Sequence, residues 1–419
     1  MRFVQMSALA LLSSALMITP VLTSSTPSSQ DVPPGGFAPL AAVEAPTGFG
    51  VTNGLLNDQT TPTFAAAQET FEEVENIDED GLGPVFNDTS CVACHQNPVT
   101  GGGSQVSEFR AGNTVNGIFT DHPGGSLIND RAIDPAIQEH LLPGNNTTTF
   151  RMTIAILGDG FIEAIDSNDI NAVRLAQPAG MRGNLTQVPV LEANGALRTG
   201  RFGWKAQHAS LLSFSADAYL NEMGVTNRFF RVENTSNGNS VAAFDPPNLR
   251  EVNGFVEDGV NNDIDTFAAF MRSTAAPPRG PINATVNAGS ALFDSVGCNV
   301  CHTRTFTTAP TGTVINQGQF PVPAALGNKI IHPFTDNLTH NIGTGDGIVQ
   351  DGQTVNRLRM KTPALWGLRT RTRIMHDGLS FTFTDAINRH QGEAASVTTA
   401  FNALTTAQKN QLLAFLASL

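Results

Sequence analysis

Positive charge and long apolar runs are both scarce in this chain of 419 residues. Lysine and arginine together number 24 against 37 aspartates and glutamates, which leaves a net charge of -13. Because phosphate binding needs a basic face, this balance argues against nucleic acid as a partner. An acidic surface would suit a basic protein partner, but solubility is the interpretation that we prefer. Charged residues make up only 15% of the chain, and glycine and asparagine are frequent, which predicts long loops around a modest number of helices.

Beyond the first residues, no segment stays apolar for the roughly eighteen residues that a membrane-spanning helix needs, so the mature chain is predicted to lack such a span. The beginning differs, because Arg2 is followed by an apolar run from about Ser7 to Leu22 and then by small polar residues. This order is typical of a secretory signal peptide, which we predict at residues 1–24. A retained segment that acts as an anchor is the alternative. The mature protein is therefore predicted to be periplasmic or secreted.

Cysteine is rarer still, with four residues that all belong to two copies of one pattern, C-x-x-C-H. The copies consist of Cys91, Cys94 and His95, and of Cys298, Cys301 and His302. Two thiols at this spacing can form thioether bonds with the two vinyl groups of one haem, and the adjacent histidine then lies under the macrocycle and coordinates iron. The sequence therefore predicts two covalently bound c-type haems, with the four cysteines as attachment points and His95 and His302 as iron ligands.

Zinc and disulfide bonds are the alternatives for these cysteines. Two C-x-x-C pairs could share one zinc ion, but they lie far apart in the sequence and each would carry an unneeded histidine. A structural disulfide has no use for that neighbour either. The repeated histidine therefore favours haem.

The chain is predicted to contain two haem domains separated by a proline-rich linker. After the signal peptide, residues 25–62 are rich in Thr, Ser, Pro and Gly and are interpreted as a flexible leader. The first domain is predicted at 63–272, the linker at 273–281 and the second domain at 282–419. Helical patterns precede the first motif, end the first domain, lead into the second motif and close the chain. The predicted fold class is mainly α, with two cytochrome c-like haem domains and long Gly- and Asn-rich loops.

The segment Met360–Ala394, MKTPALWGLRTRTRIMHDGLSFTFTDAINRHQGEA, resembles the C-terminal half of bacterial di-haem cytochrome c peroxidases and their MauG-type relatives. It is more similar still to the branch called di-haem oxidoreductases, or thiol-oxidoreductase-like proteins. Further matching landmarks are CVACHQNPVTGGGS, GDGFIEAI, GRFGWKAQHASL and NEMGVTNRFF. These landmarks span about Phe86 to Leu419, which is most of the mature chain.

The resemblance implies a second iron ligand for the C-terminal haem. In the peroxidases this ligand lies fourteen residues beyond the histidine of an H-x-G turn, and counting from His376 leads to His390. Met375 is the rival ligand. A pair of histidines at this iron implies a lower potential than ligation by histidine and methionine. The sole tyrosine, Tyr219, lies far from this position, so a MauG-like tyrosinate ligand is not expected.

The N-terminal haem is the reactive one in such proteins, and Glu163 resembles the family's pocket glutamate. This role implies a proton shuttle between the peroxide oxygens; the alternative is a solvated charge on a helix. Ala111 stands where the peroxidases carry their own distal histidine. Either this iron is therefore five-coordinate, or His122 reaches it from a loop.

The function that these features imply is peroxide reduction at the N-terminal haem, with electrons that come from a donor such as a small cytochrome through the C-terminal haem. Transfer of electrons alone is one alternative, and oxidation of a thiol or another organic substrate is a second. The resemblance implies aromatic residues that relay electrons between the haems. Trp204 is interpreted as a core residue, whereas Trp366 is either a relay or a core residue. Some relatives bind calcium between the domains, but the acidic run from Glu75 to Gly81 lacks a full calcium-loop pattern.

Overall fold

The structure is a computed structural model, which describes residues 31–32, 41–245, 263–350 and 352–419. Within these ranges no helix is both long enough and apolar enough to cross a membrane. The predicted signal peptide, residues 1–24, lies outside them.

The helices of the described residues are short and spread along the chain. They are Phe64–Glu72 (α1), Cys91–Cys94 (α2), Asp159–Glu163 (α3), Ser167–Ala176 (α4), Leu211–Met223 (α5), Asp263–Ser273 (α6), Ala284–Val296 (α7), Phe383–Asn388 (α8), Ala395–Ala403 (α9) and Thr406–Leu416 (α10). The patterns that predicted helices before the first motif, at the end of the first domain, before the second motif and at the chain's end are confirmed by α1, α6, α7 and α10.

The strands are mostly of two to four residues, with two longer ones in the N-terminal half. They are Val43–Glu44 (β1), Val85–Phe86 (β2), Ser107–Val115 (β3), Ile118–Asp121 (β4), Leu127–Ile128 (β5), Arg131–Ala132 (β6), Thr147–Met152 (β7), Gln187–Val190 (β8), Ala196–Thr199 (β9), Phe306–Thr307 (β10), Val314–Ile315 (β11), Phe320–Pro321 (β12), Lys329–Ile331 (β13), Thr339–His340 (β14) and Met360–Lys361 (β15).

The predicted mainly-α fold class is wrong, because only 32% of the described residues are helical and 17% are in strands. The main sheet is built around β3, which pairs antiparallel with β4, β5 and β7. Asn116 and Gly117 connect β3 to β4 with φ angles of 52° and 80°, which is the backbone that a tight hairpin turn requires. The Gly- and Asn-rich region that was predicted as loop therefore contains a sheet.

The main apolar core draws side chains from both halves of the sequence. Helices α1, α3, α5 and α6 contribute thirteen of its buried residues. The second half adds Phe306, Ala309, Ile315, Val322, Leu326, Ile331, Leu338 and Trp366. A second core packs α7 against α10, which begins with a capping box formed by Thr405 and Gln408. Gly289 of α7 allows this contact, because a Cβ there would collide with the Gln411 carbonyl oxygen.

The predicted leader takes part in the fold wherever it is described. Strand β1 pairs parallel with β13 of the second half. Residues 48–53 form backbone hydrogen bonds with residues 273–276, at the start of the predicted linker. Asp31 forms an ion pair with Arg198 in which both side chains are fully buried. The described part of residues 25–62 is therefore not the independent, structureless segment that its composition predicts.

Candidate functional site

The first C-x-x-C-H motif forms a single helical turn, α2. The Ser90 side chain caps this turn by accepting a hydrogen bond from the Ala93 backbone N–H at 3.2 Å. His95 follows directly, and its Nδ1 donates to the Gly102 carbonyl oxygen at 3.3 Å. Burial lowers the pKa of His95 to about 4. The imidazole is therefore neutral and fixed by a backbone acceptor, as is usual for metal-ligating histidines.

This motif opens onto a cavity of about 610 Å³, whose walls include both thiols and the imidazole. Strands β3 and β7 form one wall. Among the apolar lining residues are Phe71, Phe109, Ile128, Trp204, Phe267 and Met271. Among the charged ones are Glu108, Arg110, Asp159, Glu222 and Lys361. A largely apolar cavity of this size with a few polar groups suits a bound organic cofactor, so the residues fit a haem at this motif.

The geometry of the cysteines bears on the two alternatives, a disulfide bond and zinc. Cys301 lies with Asp336 and His340 in a group whose possible metal-ligand atoms are all within 4.8 Å of one another, whereas Cys298 does not belong to this group. All four cysteines lie among the described residues, and none of them is in a disulfide bond. Burial raises the pKa of the Cys91 and Cys94 thiols. The cavity lining includes neither Cys298 nor Cys301, so within it the two pairs do not meet around one ion.

The second motif follows the end of α7, where Gly297 turns the chain with a φ of 99°. His302 Nδ1 donates to the Phe334 carbonyl oxygen at 3.0 Å. Burial is the main cause that lowers the pKa of His302 to about 4, and the charge of the nearby His390 acts in the same direction. His390 Nδ1 donates to the Ala386 carbonyl oxygen at 2.7 Å.

His302 and His390 therefore have the same arrangement, with Nδ1 bound to a backbone carbonyl. Within the described part of the chain, the Nε2 atom of neither ring has a hydrogen-bond partner. Two nearby imidazoles whose Nδ1 atoms are held by the backbone would fit the ligand set of one iron. Met375, the rival ligand, instead lines a small cavity with Asn97 and Trp204.

Glu163 does not occupy the position that the sequence predicts for it. Its side chain is fully buried, and its two carboxylate oxygens accept hydrogen bonds from Arg272 at 2.6 and 2.9 Å. It also accepts from the Leu211 backbone N–H and from Asn316 Nδ2. Burial acts to raise the pKa of Glu163, but Arg272 holds it below its ordinary value. The carboxylate is not part of the cavity lining; it joins α3 to α5 and α6.

The carboxyl group of α3 that does line the cavity is Asp159, one helical turn before Glu163. Burial raises the pKa of Asp159 to about 7, against the opposing charges of Lys361 and Arg371. Lys361 lines the cavity as well. A carboxyl group that lines a cavity and has a pKa near neutral pH suits proton transfer. Sequence reasoning missed it, although it stands in the same GDGFIEAI landmark.

His122 is also away from the cavity lining. Its Nδ1 lies 2.9 Å from Asn145 Oδ1 and its Nε2 lies 3.0 Å from Asn237 Oδ1. Both ring nitrogens thus have partners, and the ring is buried. Among the described residues, His95 is the only histidine of the cavity wall, so the structure offers no second imidazole there.

The two tryptophans are buried in different surroundings. Trp204 lines the cavity, donates from Nε1 to the Met152 carbonyl oxygen at 2.8 Å, and lies with its ring centroid 6.0 Å from that of His376. Trp366 belongs to the main apolar core. The indole of Trp204 is therefore satisfied by the backbone, as expected for a core residue.

Comparison with known proteins gives one family match, to the model described as "Di-haem oxidoreductase, putative peroxidase" over residues 129–419. This range is more than half of the chain; it includes the second motif and begins after the first. No curated protein matches.

Among solved structures, the di-haem peroxidase BthA from Burkholderia thailandensis E264 is 15% identical with a TM-score of 0.42, covering 94% of this chain and 95% of its own. A MauG-like protein associated with microbial copper homeostasis is 16% identical with a TM-score of 0.37, covering 92% and 94%. Hydrazine synthase from Kuenenia stuttgartiensis is 14% identical with a TM-score of 0.38, covering 97% and 100%. These scores are below 0.5, so the family assignment rests on the match of residues 129–419.

Proposed function

Because this chain belongs to the di-haem oxidoreductase family and is a haem-dependent oxidoreductase, we propose that it is exported and reduces peroxide at its N-terminal site. The observation that supports this proposal is the difference between the two motifs. His302 is near enough to a second histidine, His390, for its charge to affect the pKa of His302, whereas His95 lies on a cavity of about 610 Å³ with no other histidine among the described lining residues. A paired site suits electron transfer, and an open one suits a reacting ligand.

We propose that Cys91 and Cys94 attach one haem and that Cys298 and Cys301 attach the other. His95 is the ligand at the first site, and His302 and His390 are the ligands at the second. Each haem, when bound, supplies a redox-active iron that can pass electrons towards a peroxide. The electrons arrive from a small cytochrome through the second site.

The cavity residues supply the proton chemistry of this proposal. Asp159 accepts a proton at its carboxylate from the peroxide and returns it to the departing oxygen. Lys361 and Arg371 keep part of its population ionised near neutral pH, because their positive charges oppose the effect of burial on the pKa of Asp159. The apolar walls limit the access of bulk water, which strengthens these electrostatic effects.

Spectra of the purified mature protein test this function. Optical and EPR spectra are recorded in the oxidised and half-reduced states, before and after hydrogen peroxide. We expect one high-spin haem that peroxide changes and one low-spin haem. Two low-spin haems that peroxide leaves unchanged would make the protein an electron carrier and would contradict the proposal.

A matched pair of variants assigns the two haems. The Cys91→Ala/Cys94→Ala variant is expected to lose the high-spin signal, and Cys298→Ala/Cys301→Ala the low-spin one. Each should retain half of the haem content of the parent protein, measured by the pyridine haemochrome spectrum. A variant that keeps both haems covalently bound would contradict attachment at that motif.

A further inference from the structure

The chain contains 26 phenylalanines but only one tyrosine, Tyr219. Tyr219 lies on α5 in the wall of the cavity and is 1% exposed. Packing alone does not need its hydroxyl group, since phenylalanine fills the neighbouring core positions. The surroundings of that hydroxyl group therefore indicate what it does.

The hydroxyl oxygen lies 3.0 Å from Glu75 Oε1 and 3.0 Å from Asp263 Oδ2. The phenol has one proton and can donate to either oxygen, and both contacts are full hydrogen bonds at the same time when one of the two carboxyl groups is protonated. Burial raises the pKa of Glu75 to about 8, which makes this group a neutral acid at neutral pH. Glu75 then donates to the phenol oxygen, and the phenol donates to the carboxylate of Asp263. A proton acceptor is thus in direct contact with the phenol.

A continuous run of packed rings joins Tyr219 to the candidate iron ligand His95. The centroid of His95 lies 6.2 Å from that of Phe71, Phe71 lies 6.1 Å from Phe267, and Phe267 lies 5.2 Å from Tyr219. All three distances are within the range of aromatic contacts. The run crosses α1, α6 and α5, whose packing forms the main core, so it belongs to the rigid part of the fold.

We infer that Tyr219 is a redox-active residue that supplies one electron to the N-terminal site along the rings of Phe267 and Phe71, while its proton moves to Asp263. This inference rests on the proposed function, because peroxide is the oxidant. Reduction of one peroxide to two waters takes two electrons and two protons. Tyr219 supplies one of these electrons: its O–H bond breaks, the Asp263 carboxylate binds the proton, and a neutral tyrosyl radical remains until the electron-donor protein returns the electron and the proton moves back. The N-terminal site can therefore complete the reduction of peroxide when the rest of the protein supplies only one other electron.

Isotope labelling tests this inference without changing the sequence. The holoprotein is prepared with ordinary residues, with ring-deuterated tyrosine or with ring-deuterated tryptophan, mixed with hydrogen peroxide in the absence of a donor, frozen and examined by EPR. We expect an organic radical signal that narrows only with deuterated tyrosine. Because the chain has a single tyrosine, such narrowing identifies Tyr219. A signal that narrows only with deuterated tryptophan would overturn the inference.

Two variants and a second oxidant separate this inference from the proposed function. Tyr219→Phe should lose the signal with haem content unchanged, and Phe267→Leu, which keeps the hydroxyl group, should lower its yield after peroxide. Flash oxidation by a ruthenium tris-bipyridine complex generates the radical without peroxide. One outcome is a tyrosyl signal after the flash while peroxide leaves the haem spectra unchanged. That result would reject the proposed function but support a redox-active Tyr219. The absence of a tyrosyl signal with both oxidants would overturn the inference, whether or not the haem reacts with peroxide.

Discussion

Asp159 and Glu163 lie one helical turn apart on α3 and have opposite surroundings. Gly160 fixes the rotation of this helix, because a Cβ there would collide with the Arg272 carbonyl oxygen of α6. The close approach turns Glu163 towards Arg272 and leaves Asp159 facing the cavity. The sequence contains both carboxyl groups, but which one faces the cavity depends on this contact between helices distant in sequence. The spacing of residues in the sequence therefore does not indicate which of the two carboxyl groups faces the cavity.

Replacement of Asp159 by asparagine tests the proton transfer. In the parent protein kcat/KM for hydrogen peroxide should rise with pH through about 7, as the Asp159 carboxyl group, whose pKa is raised to about 7, becomes ionised. Asp159→Asn should lower kcat/KM by about 10²-fold and remove this pH dependence. The measurement is steady-state peroxidase kinetics between acidic and alkaline pH. An unchanged kcat/KM with intact haem content would show that the carboxylate moves no proton.

Replacement of Glu163 by glutamine tests its structural role. The change leaves Arg272 without its counter-charge, so we expect the free energy of unfolding to fall by about 3 kcal/mol. The pKa of Glu163 is held below its ordinary value, so this stabilisation is present at neutral pH and is lost as the pH falls through the folded-state pKa. Chemical denaturation at several pH values measures it. Glu79→Gln, at an exposed position, is the control, and equal stability of the two variants would contradict the role.

At the scale of elements, the helices were more predictable than the strands. Helices α1, α6, α7 and α10 have apolar periodicity or caps that a single sequence displays. Most strands have two to four residues, too few for an alternating pattern to stand out. One signal was available, because Asn116-Gly117 is a strong hairpin pair between two strands rich in Thr, Val and Phe. The proximity of His390 to His302 was predictable only from the family resemblance, since the two lie far apart in sequence.

The leader segment provides a test at this scale, because its composition predicts a flexible segment whereas Asp31 forms a buried ion pair with Arg198. Burial acts to raise the pKa of Asp31, but Arg198 and Arg201 hold it below its ordinary value. Asp31→Ala leaves the buried Arg198 unpaired and should lower the free energy of unfolding by about 3 kcal/mol at neutral pH. This difference should shrink as the pH falls through the folded-state pKa of Asp31. Glu44→Ala, on the exposed face of β1, should change little; a similar loss from both would contradict the importance of the ion pair.

At the scale of the whole molecule, the net charge of -13 favours a basic electron donor. The rate constant for reduction of the holoprotein by a small basic cytochrome should fall by about tenfold between low and high ionic strength, because salt screens charges over a Debye length of about 8 Å at physiological concentration. Stopped-flow mixing measures this rate. An acidic cytochrome of similar potential is the control, and its rate should rise or stay constant with salt. A salt-independent rate with both donors would show that the charge serves solubility alone.

The main core also limits how far the two halves of the chain can be separated or exchanged. Side chains from Phe306 to Leu338, together with Trp366, complete the core around α1, α3, α5 and α6, and each fully buried side chain of this size contributes about 1.5–3 kcal/mol. The half that carries the first motif thus lacks part of its interior until the second half has been synthesised. The two motif-bearing halves are consequently not interchangeable modules. Exchange of one half between homologues would therefore leave gaps or clashes in this shared core unless the segment that fills it is exchanged as well.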